Sequence, residues 1–365
     1  MPRATPEARR LLAALEGAPP KLDIDGHAVK LTTLHRVYWP EAPEFGQPAI
    51  TKLDLVRHLV RLSPLILPQV RDRPLTLFRW PGGIQGRRML QKHPETALPD
   101  FVETARIFSE SKSTDDEYLL CNNLATLVWL ADHGALEIHV WHSRVRGDHD
   151  PAAARSRGAG SATRLADSPV NFPDYMLFDI DPYLYSGRER SGGEPEPHAQ
   201  GFAQAKQVAL WLKDVLDRMS LRSCVKTSGK TGLHVAVPIE PRLRYDVVRA
   251  IARTICEHLL SLHPASITTQ WDTGKREGKV FMDFNMNVRG KSIIAPWCPR
   301  GLAGAPVSMP LSWRQLSRAV PTAFRVGTLD KAAPTTDPWS AAFEDRQDLE
   351  AAVARLAAGE PTGRG

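Results

Sequence analysis

The chain has 365 residues, of which 42% are hydrophobic and 24% charged, a balance that suits a folded globular chain and excludes wholesale disorder. Its 30 prolines and 25 glycines exclude a coiled coil, and its four cysteines (Cys121, Cys224, Cys256, Cys298), with no CxxC pair, exclude a disulfide framework and a Cys-rich zinc site. The net charge of +6 permits a phosphate-rich partner without demanding one, because Arg- and Ala-rich coding bias gives the same balance.

No stretch approaches the ~20 apolar residues of a membrane helix, and the basic N-terminus lacks the apolar run of a signal peptide. We expect a cytoplasmic protein with reduced thiols and no membrane partner.

In chain order, residues 1–27 read as an N-terminal arm with a short helix over Pro6 to Leu15. A dense N-terminal α/β module over 28–145 follows. In it Thr51 caps a helix over Lys52 to Leu62, which Pro64 is expected to end. Leu75 to Trp80 reads as a strand stopped by Pro81-Gly82-Gly83. Asn122 to His133 reads as a helix capped by Gly134, and Ala135 to Trp141 as an alternating strand. Residues 146–169, poor in aliphatics and rich in Gly, Ala, Arg and Ser, read as a flexible linker or loop. The second module, 170–325, places strands at Tyr175–Ile180, Ser223–Thr227, Leu233–Ile239, Val280–Asn285 and Ser292–Pro296. Helices over Gly201–Met219 and Tyr245–Leu260 separate them. Residues 326–365 read as a tail with one helix, Asp345 to Ala358. The alternation predicts an α/β (α+β) chain of two modules.

The sharpest local feature is Phe178-Asp179-Ile180-Asp181-Pro182. Acids are depleted from apolar strands, and side chains two apart share a face, so Asp179 and Asp181 point together at the strand end. Two such carboxylates repel unless a hard cation lies between them, whereas a solvated strand end feeding a Pro turn needs none. On this pair alone both readings stay open. Asp283, in the apolar segment Lys279 to Asn287, is the candidate third carboxylate, with a salt bridge to Arg276 or Arg289 as the plainer alternative. Three acids on neighbouring strands suit the metal pair of a phosphoryl transfer.

Between them, Lys226 to His234 contains a GKT, but a P-loop fails twice. The first glycine of that motif would fall on Cys224, and a strand rather than a helix follows. What remains is a hairpin whose amides, Ser228 hydroxyl and Lys230 ammonium suit triphosphate oxygens, or simply make a turn. His139 shares a strand face with Trp141, where a histidine satisfied in the core is the commoner outcome.

Together these segments resemble the polymerase domain of bacterial ligase D, within the archaeo-eukaryotic primase superfamily. The family's strand ending Asp-x-Asp-Pro is matched by Asp179 and Asp181, and its Ser-Gly-x-x-Gly-Leu-His by Ser228 to His234. Its third motif is matched by Asp283, Asn287 and Arg300, the last following Ala295-Pro296-Trp297. Upstream, Leu136 to Trp141 with Ser143-Arg144, Arg73 to Leu77 with Arg79, Trp80 and Gly83, and Gln91-Lys92-His93 also match, so the likeness spans residues 30–320.

The resemblance implies a two-module primase-like fold, central sheets flanked by helices, with an RRM-like catalytic module. It implies template-directed nucleotidyl transfer in which Asp179, Asp181 and Asp283 are catalytic and ligate two divalent metal ions, Mn2+ or Mg2+. It also implies that His139, Ser228 and Arg300, with Lys230, Arg276 and His234, bind the NTP or dNTP. Arg36 and Lys52 match residues that read a 5′-phosphate on downstream DNA. Such domains favour ribonucleotides and fill gaps at broken DNA ends in non-homologous end joining. The implied setting is the bacterial nucleoid, with Ku and a separate DNA ligase as partners.

The chain departs from the family at several positions. Thr231 stands where the family has Lys, Met286 where it has Gln, and Met89-Leu90 where paired Phe residues stack on template bases. Glu41 to Ala49 lengthens the loop before Lys52. Ligase activity is not expected, since K-x-D-G is absent and Lys21 to Gly26 carries two residues too many. A Met start with its own arm points to a stand-alone polymerase. Two other functions stay open: a primase that starts chains de novo, and a non-catalytic module that bridges DNA ends.

Overall fold

A computed structural model describes residues 5–146, 168–187, 189, 193–320, 323–329 and 337–358. Most of the linker expected over 146–169, and residues 330–336 and 359–365 of the tail, lie outside the described residues. The chain divides into two compact units. Unit 1 comprises residues 1–171, 292–308 and 324–337, and unit 2 comprises 172–291, 309–323 and 338–365. Residues 292–308, read from sequence as part of the second module, thus belong to unit 1.

Unit 1 opens with α1 (Pro6–Ala14) and a hairpin of β1 (Lys21–Ile24) and β2 (His27–Lys30). These residues are packed structure rather than an arm, because Ala8, Leu11, Leu15, Leu22, Ile24 and Val29 are all buried. Asp25 and Gly26 make the hairpin's two-residue turn, both with positive φ, as the twist of paired strands favours. The short pair β3 (Val37–Trp39) and β4 (Ile50–Thr51) then leads into α2 (Lys52–Val70).

Helix α2 runs through Pro64 instead of stopping there. Pro64 has no amide to offer the Val60 carbonyl, and the Ser63 hydroxyl donates to that carbonyl instead at 2.9 Å. A proline inside a helix costs ~3 kcal/mol. Beyond it the helix buries Ile66 and Val70, each contributing ~1.5–3 kcal/mol. Burial wins.

Strands β5 (Leu75–Arg79) and β6 (Met89–Gln91) follow, then a hairpin of β7 (Thr104–Ser109) and β8 (Thr114–Leu119). Helix α3 (Leu124–Asp132) and β9 (Ala135–Trp141) complete this part. The late strand Ser292–Ile294 pairs with β9, giving a sheet in the order Ser292–Ile294, β9, β5, β6.

Unit 2 is built on β10 (Tyr175–Pro182), α4 (Ala199–Arg218), β11 (Cys224–Thr227) and β12 (Leu233–Pro238). After these come α5 (Tyr245–Leu262), β13 (Ile267–Thr268) and β14 (Val280–Asp283). The six-stranded sheet has the order β13, β14, β10, β12, β11, Pro310–Leu311, and α4 and α5 both pack on central β10. Met176, Phe178 and Ile180 are wholly buried and alternate along β10 with the positions that include Asp179 and Asp181. The helix Pro338–Phe343 packs on β11, and the last helix covers Leu349–Ala357 with Asp348 as its cap. Among the described residues no helix is long and apolar enough to cross a membrane.

The start of α2 is fastened by a buried ion pair. Lys52 is 3% exposed and donates to the Asp132 carboxylate at 3.0 Å, the Asp132 carbonyl at 2.7 Å and Thr32 Oγ1 at 3.2 Å. Burial pushes the Lys52 ammonium down, and the Asp132 carboxylate pulls it back up. Removing one partner strands the other's charge, so Lys52→Met should lower unfolding free energy by ~3–5 kcal/mol in urea titrations. Adding Asp132→Asn, which keeps an acceptor for the Thr32 amide, should recover part of that loss.

Candidate active site

The acids of β10 stand in a row whose register is set by three antiparallel pairings. Asp179 faces Asp283 of β14 on one side and His234 of β12 on the other, and His234 in turn faces Lys226 of β11. Residues opposite one another in a sheet share a face. Asp283, Asp179, His234 and Lys226 therefore form one rung across four strands, and Asp181 lies two residues along on the same face, opposite Phe281.

Repulsion and burial dominate the acidic end. Burial raises the Asp181 carboxyl well above the ordinary range, and the charges of Asp179, Glu194 and Asp283 add to this while Lys230 opposes it. Asp283 is pushed up to about 6, first by burial and then by Asp179, although the Asn285 amide donates to its Oδ1 at 2.7 Å. At the other end, the Lys226 ammonium lies 2.6 Å from His234 Nδ1, and His234 Nε2 lies 3.2 Å from Asp179 Oδ1. Lys226 is fully buried, with the Trp339 ring 5.7 Å from its ammonium.

Crowded oxygen donors with raised proton affinity are what a hard divalent cation relieves, so the chemistry of the donor set fits such an ion. Among the described residues, no group of three or more His, Cys, Asp or Glu side chains is gathered as a metal ion requires. The acids form a row on the sheet, not a closed ligand cluster.

Two backbone devices hold this row. The Asn287 side chain accepts from the Leu177 amide at 2.8 Å and donates to the Leu177 carbonyl at 2.7 Å, extending the ladder just before Asp179. Gly232 permits the hairpin to approach β10, because a Cβ there would fall 2.2 Å from the Ile180 carbonyl oxygen and 2.7 Å from Asp181 Oδ1. The GKT segment is the expected hairpin turn: the Ser228 hydroxyl accepts from the Lys230 and Gly232 amides, both at 3.1 Å. Lys230 pairs with Glu194.

His234 and Arg276, both expected to bind nucleotide, are held by protein groups. Both ring nitrogens of His234 lie against protein groups, Lys226 and Asp179, at 3% exposure. The Arg276 guanidinium lies on the Phe281 ring at 3.6 Å and donates to the Gln270 carbonyl, the Trp271 carbonyl and the Tyr183 hydroxyl. Its donors fasten the loop before β14.

Unit 1 brings together His139 and Arg300 through a residue the motif reading did not single out, Glu137. This carboxylate is 4% exposed, with Oε2 at 3.0 Å from His139 Nε2 and Oε1 at 3.2 Å from Arg300 Nε. The Gly301 amide donates to Oε1 at 3.0 Å, and the Trp80 ring covers Gly301 so closely that a Cβ would meet it at 2.5 Å. Burial alone would raise Glu137, but the His139 hydrogen bond and the Arg300 charge pull it down to about 2. Its signal in the sequence is an acid inside a strand whose neighbours are apolar. Lys226, in a fully buried strand, gave the same kind of signal.

The expected 5′-phosphate pair is only half available. The Lys52 amide donates to the Arg36 carbonyl at 2.9 Å, so the two residues are neighbours. All three donors of the Lys52 ammonium lie on Asp132 and Thr32. Arg36 is exposed, and its guanidinium donates to the Pro81 carbonyl at 2.7 Å.

Known proteins share this arrangement of segments. The chain is 26% identical over 301 residues to the bifunctional non-homologous end joining protein LigD of Bacillus subtilis, covering 82% of this chain and 42% of that protein. It is 28% identical over 316 residues to the multifunctional LigD of Pseudomonas aeruginosa, covering 84% and 32%. It thus spans less than half the length of these curated relatives. Its fold is similar to the polymerase domain from Mycobacterium tuberculosis ligase D in complex with DNA, with a TM-score of 0.68 at 24% identity over 87% of this chain and 99% of that one. The model of the LigD primase-polymerase domain matches residues 51–339, which include the acidic row, the hairpin and Glu137: the chain belongs to the LigD primase-polymerase domain family.

Proposed function

We propose that the chain is a template-directed nucleotidyltransferase that fills short gaps at broken DNA ends in non-homologous end joining. The observation that carries this reading is the row of Asp181, Asp179 and Asp283 on one face of the central sheet. Two divalent cations, Mn2+ or Mg2+, held by these carboxylates would supply activation of the primer 3′-hydroxyl and neutralisation of the leaving pyrophosphate. The bond formed joins the 3′-oxygen to the α-phosphorus, and the bond broken releases pyrophosphate.

The chain's own groups have separate tasks in this reaction. The Ser228 hydroxyl and the Lys230 ammonium, on the hairpin that approaches Asp181, receive triphosphate oxygens. In unit 1, Glu137 holds His139 and Arg300 side by side for phosphate oxygens, where charge-assisted hydrogen bonds are the strong ones. Nucleoside triphosphates and DNA are the substrates, with Ku and a DNA ligase as the partners such a role needs. The LigD relatives, named as non-homologous end joining proteins, and the tuberculosis ligase D polymerase domain in complex with DNA support the setting.

Asp179→Asn and Asp283→Asn should each reduce incorporation on gapped DNA by ~100-fold or more. Affinity for DNA in a filter-binding titration should hold or rise slightly, since negative charge has been removed. Substantial incorporation by both variants would remove the acidic row from the chemistry.

Glu137→Gln should weaken nucleotide binding more than DNA binding, because His139 and Arg300 lose the charge that orients them. It should also change the acid limb of stability. The folded Glu137 pKa is about 2 against an ordinary 4.5, so its stabilisation is complete above 4.5 and is lost as pH falls towards 2. Urea titrations at descending pH should show a shallower decline in Glu137→Gln than in the unmodified chain.

Of the two residues expected to read a downstream 5′-phosphate, Arg36 is the exposed one, and Lys52 is buried against Asp132 and Thr32. Gapped DNA ending in a 5′-phosphate should bind more tightly than the same DNA ending in a hydroxyl. The preference should fade as salt rises, and Arg36→Ala should remove it without changing extension of a simple primed template. Equal affinity for the two gapped substrates would favour chain initiation over gap filling.

A further inference from the structure

Trp271 stands in the loop between β13 and β14 and is 66% exposed, the most open large apolar side chain among the described residues. A ring left in water adds little to the fold, yet this one is held in place. The Arg276 guanidinium lies 5.3 Å from its centre, and the same side chain donates to the Trp271 carbonyl. The Phe281 ring meets it edge-on, with centroids 6.3 Å apart and planes at 71°. Arg276 is itself fixed by the Phe281 ring, the Gln270 carbonyl and the Tyr183 hydroxyl. These neighbours anchor the indole while most of its surface stays open.

The anchor also places the ring relative to the acids. Phe281 faces Asp181 across β14 and β10, so the two side chains share a face of the sheet. On the other side of Asp181 stands the hairpin of β11 and β12, where a Cβ at Gly232 would fall 2.7 Å from Asp181 Oδ1. That hairpin carries Ser228 and Lys230, the groups proposed above for the triphosphate. In nucleotidyl transfer the attacking 3′-oxygen and the departing pyrophosphate lie on opposite sides of the α-phosphorus. A triphosphate drawn to the hairpin therefore leaves the β14 side for the primer, and Trp271 stands on that side. An open indole accepts any base, because every base has a π-face.

We infer that Trp271 is the platform on which a base of the primer strand stacks near its 3′ end. The inference rests on the proposed nucleotidyl transfer, which sets the side from which the primer arrives. Because the ring is fixed before DNA arrives, little ordering is lost on binding.

The test follows binding of labelled primed DNA to the full chain by fluorescence anisotropy, with unprimed template and ATP alone as the other two arms. Trp271→Ala should weaken primed DNA ~10-fold and leave the other arms unchanged. Trp271→Phe keeps a ring and should retain most of the affinity. In steady-state extension the loss should appear in KM for primed DNA rather than in kcat. A loss on ATP would move the ring to the incoming nucleotide, and an equal loss on unprimed template would move it to the template strand; either overturns the inference. Unchanged affinity in folded Trp271→Ala would also overturn it and leave the ring for a protein partner. Primers with an abasic site at the last or next-to-last position remove the stacked base itself. At one of these positions the unmodified chain should lose the same factor, and Trp271→Ala should lose nothing further. Additive losses at both positions, or no loss at either in the unmodified chain, would overturn the inference even where circular dichroism shows that the Ala variant has not folded. Binding that responds to Trp271 without any incorporation by the unmodified chain would count against the nucleotidyltransferase reading, and the stacking would stand.

Discussion

Asp179 and Asp283 face each other on adjacent strands, and like charges placed directly opposite in a sheet destabilise the pairing. Much of unit 2 is arranged around containing that repulsion. The Asn285 amide draws off one oxygen of Asp283, and Asn287 replaces a strand neighbour for Leu177 so that β10 stays straight up to Asp179. On the far side, His234 and Lys226 continue the same rung with donors. The rung thus runs from excess negative charge to positive charge across four strands. The raised Asp181 and Asp283 pKa values come first from burial and then from the charge of Asp179, which the protein leaves unrelieved.

Unit 1 solves the inverse problem. There a single buried anion, Glu137, gathers two groups that can carry positive charge, His139 and Arg300, and an amide from Gly301. A buried carboxylate persists only when it is compensated, here by hydrogen bonds with His139 and the Gly301 amide and by the charge of Arg300. Its pKa falls to about 2 although burial works the other way. The arrangement keeps cationic side chains turned to fixed positions without surrendering them to a tight ion pair in the open. Such fixed donors need little reorganisation when a phosphate arrives.

Charge type alone does not make a ligand-reading residue; the decisive question is whether its donors are already used. Lys52 and Arg276 both match positions associated with phosphate, and both make several hydrogen bonds within the protein. Lys52 fills a three-donor site at the start of α2. Arg276 lies flat on Phe281 with its N–H groups on two carbonyls and a tyrosine hydroxyl. Arg36, by contrast, is exposed, with its guanidinium donating to the Pro81 carbonyl.

The sequence alone determined the strand that carries Asp179 and Asp181, the hairpin at Ser228 to His234, and the third acid at Asp283. Each is a local conflict, an acid or a glycine turn set into apolar alternation, and such conflicts are visible at one or two residues' range. It also determined the mixed α/β class, because strand and helix periods alternate along the chain. Tertiary structure decided the rest. That α2 passes Pro64 follows from a hydroxyl at Ser63 and from burial beyond the proline, neither of which periodicity weighs. That residues 6–30 are packed, and that Ser292–Ile294 joins the sheet of β9, follow from long-range contacts that no short window contains. The rung itself depends on register across β14, β10, β12 and β11, which a single strand cannot reveal. Register is a relation between distant segments, and only the folded chain brought Lys226, His234, Asp179 and Asp283 into line.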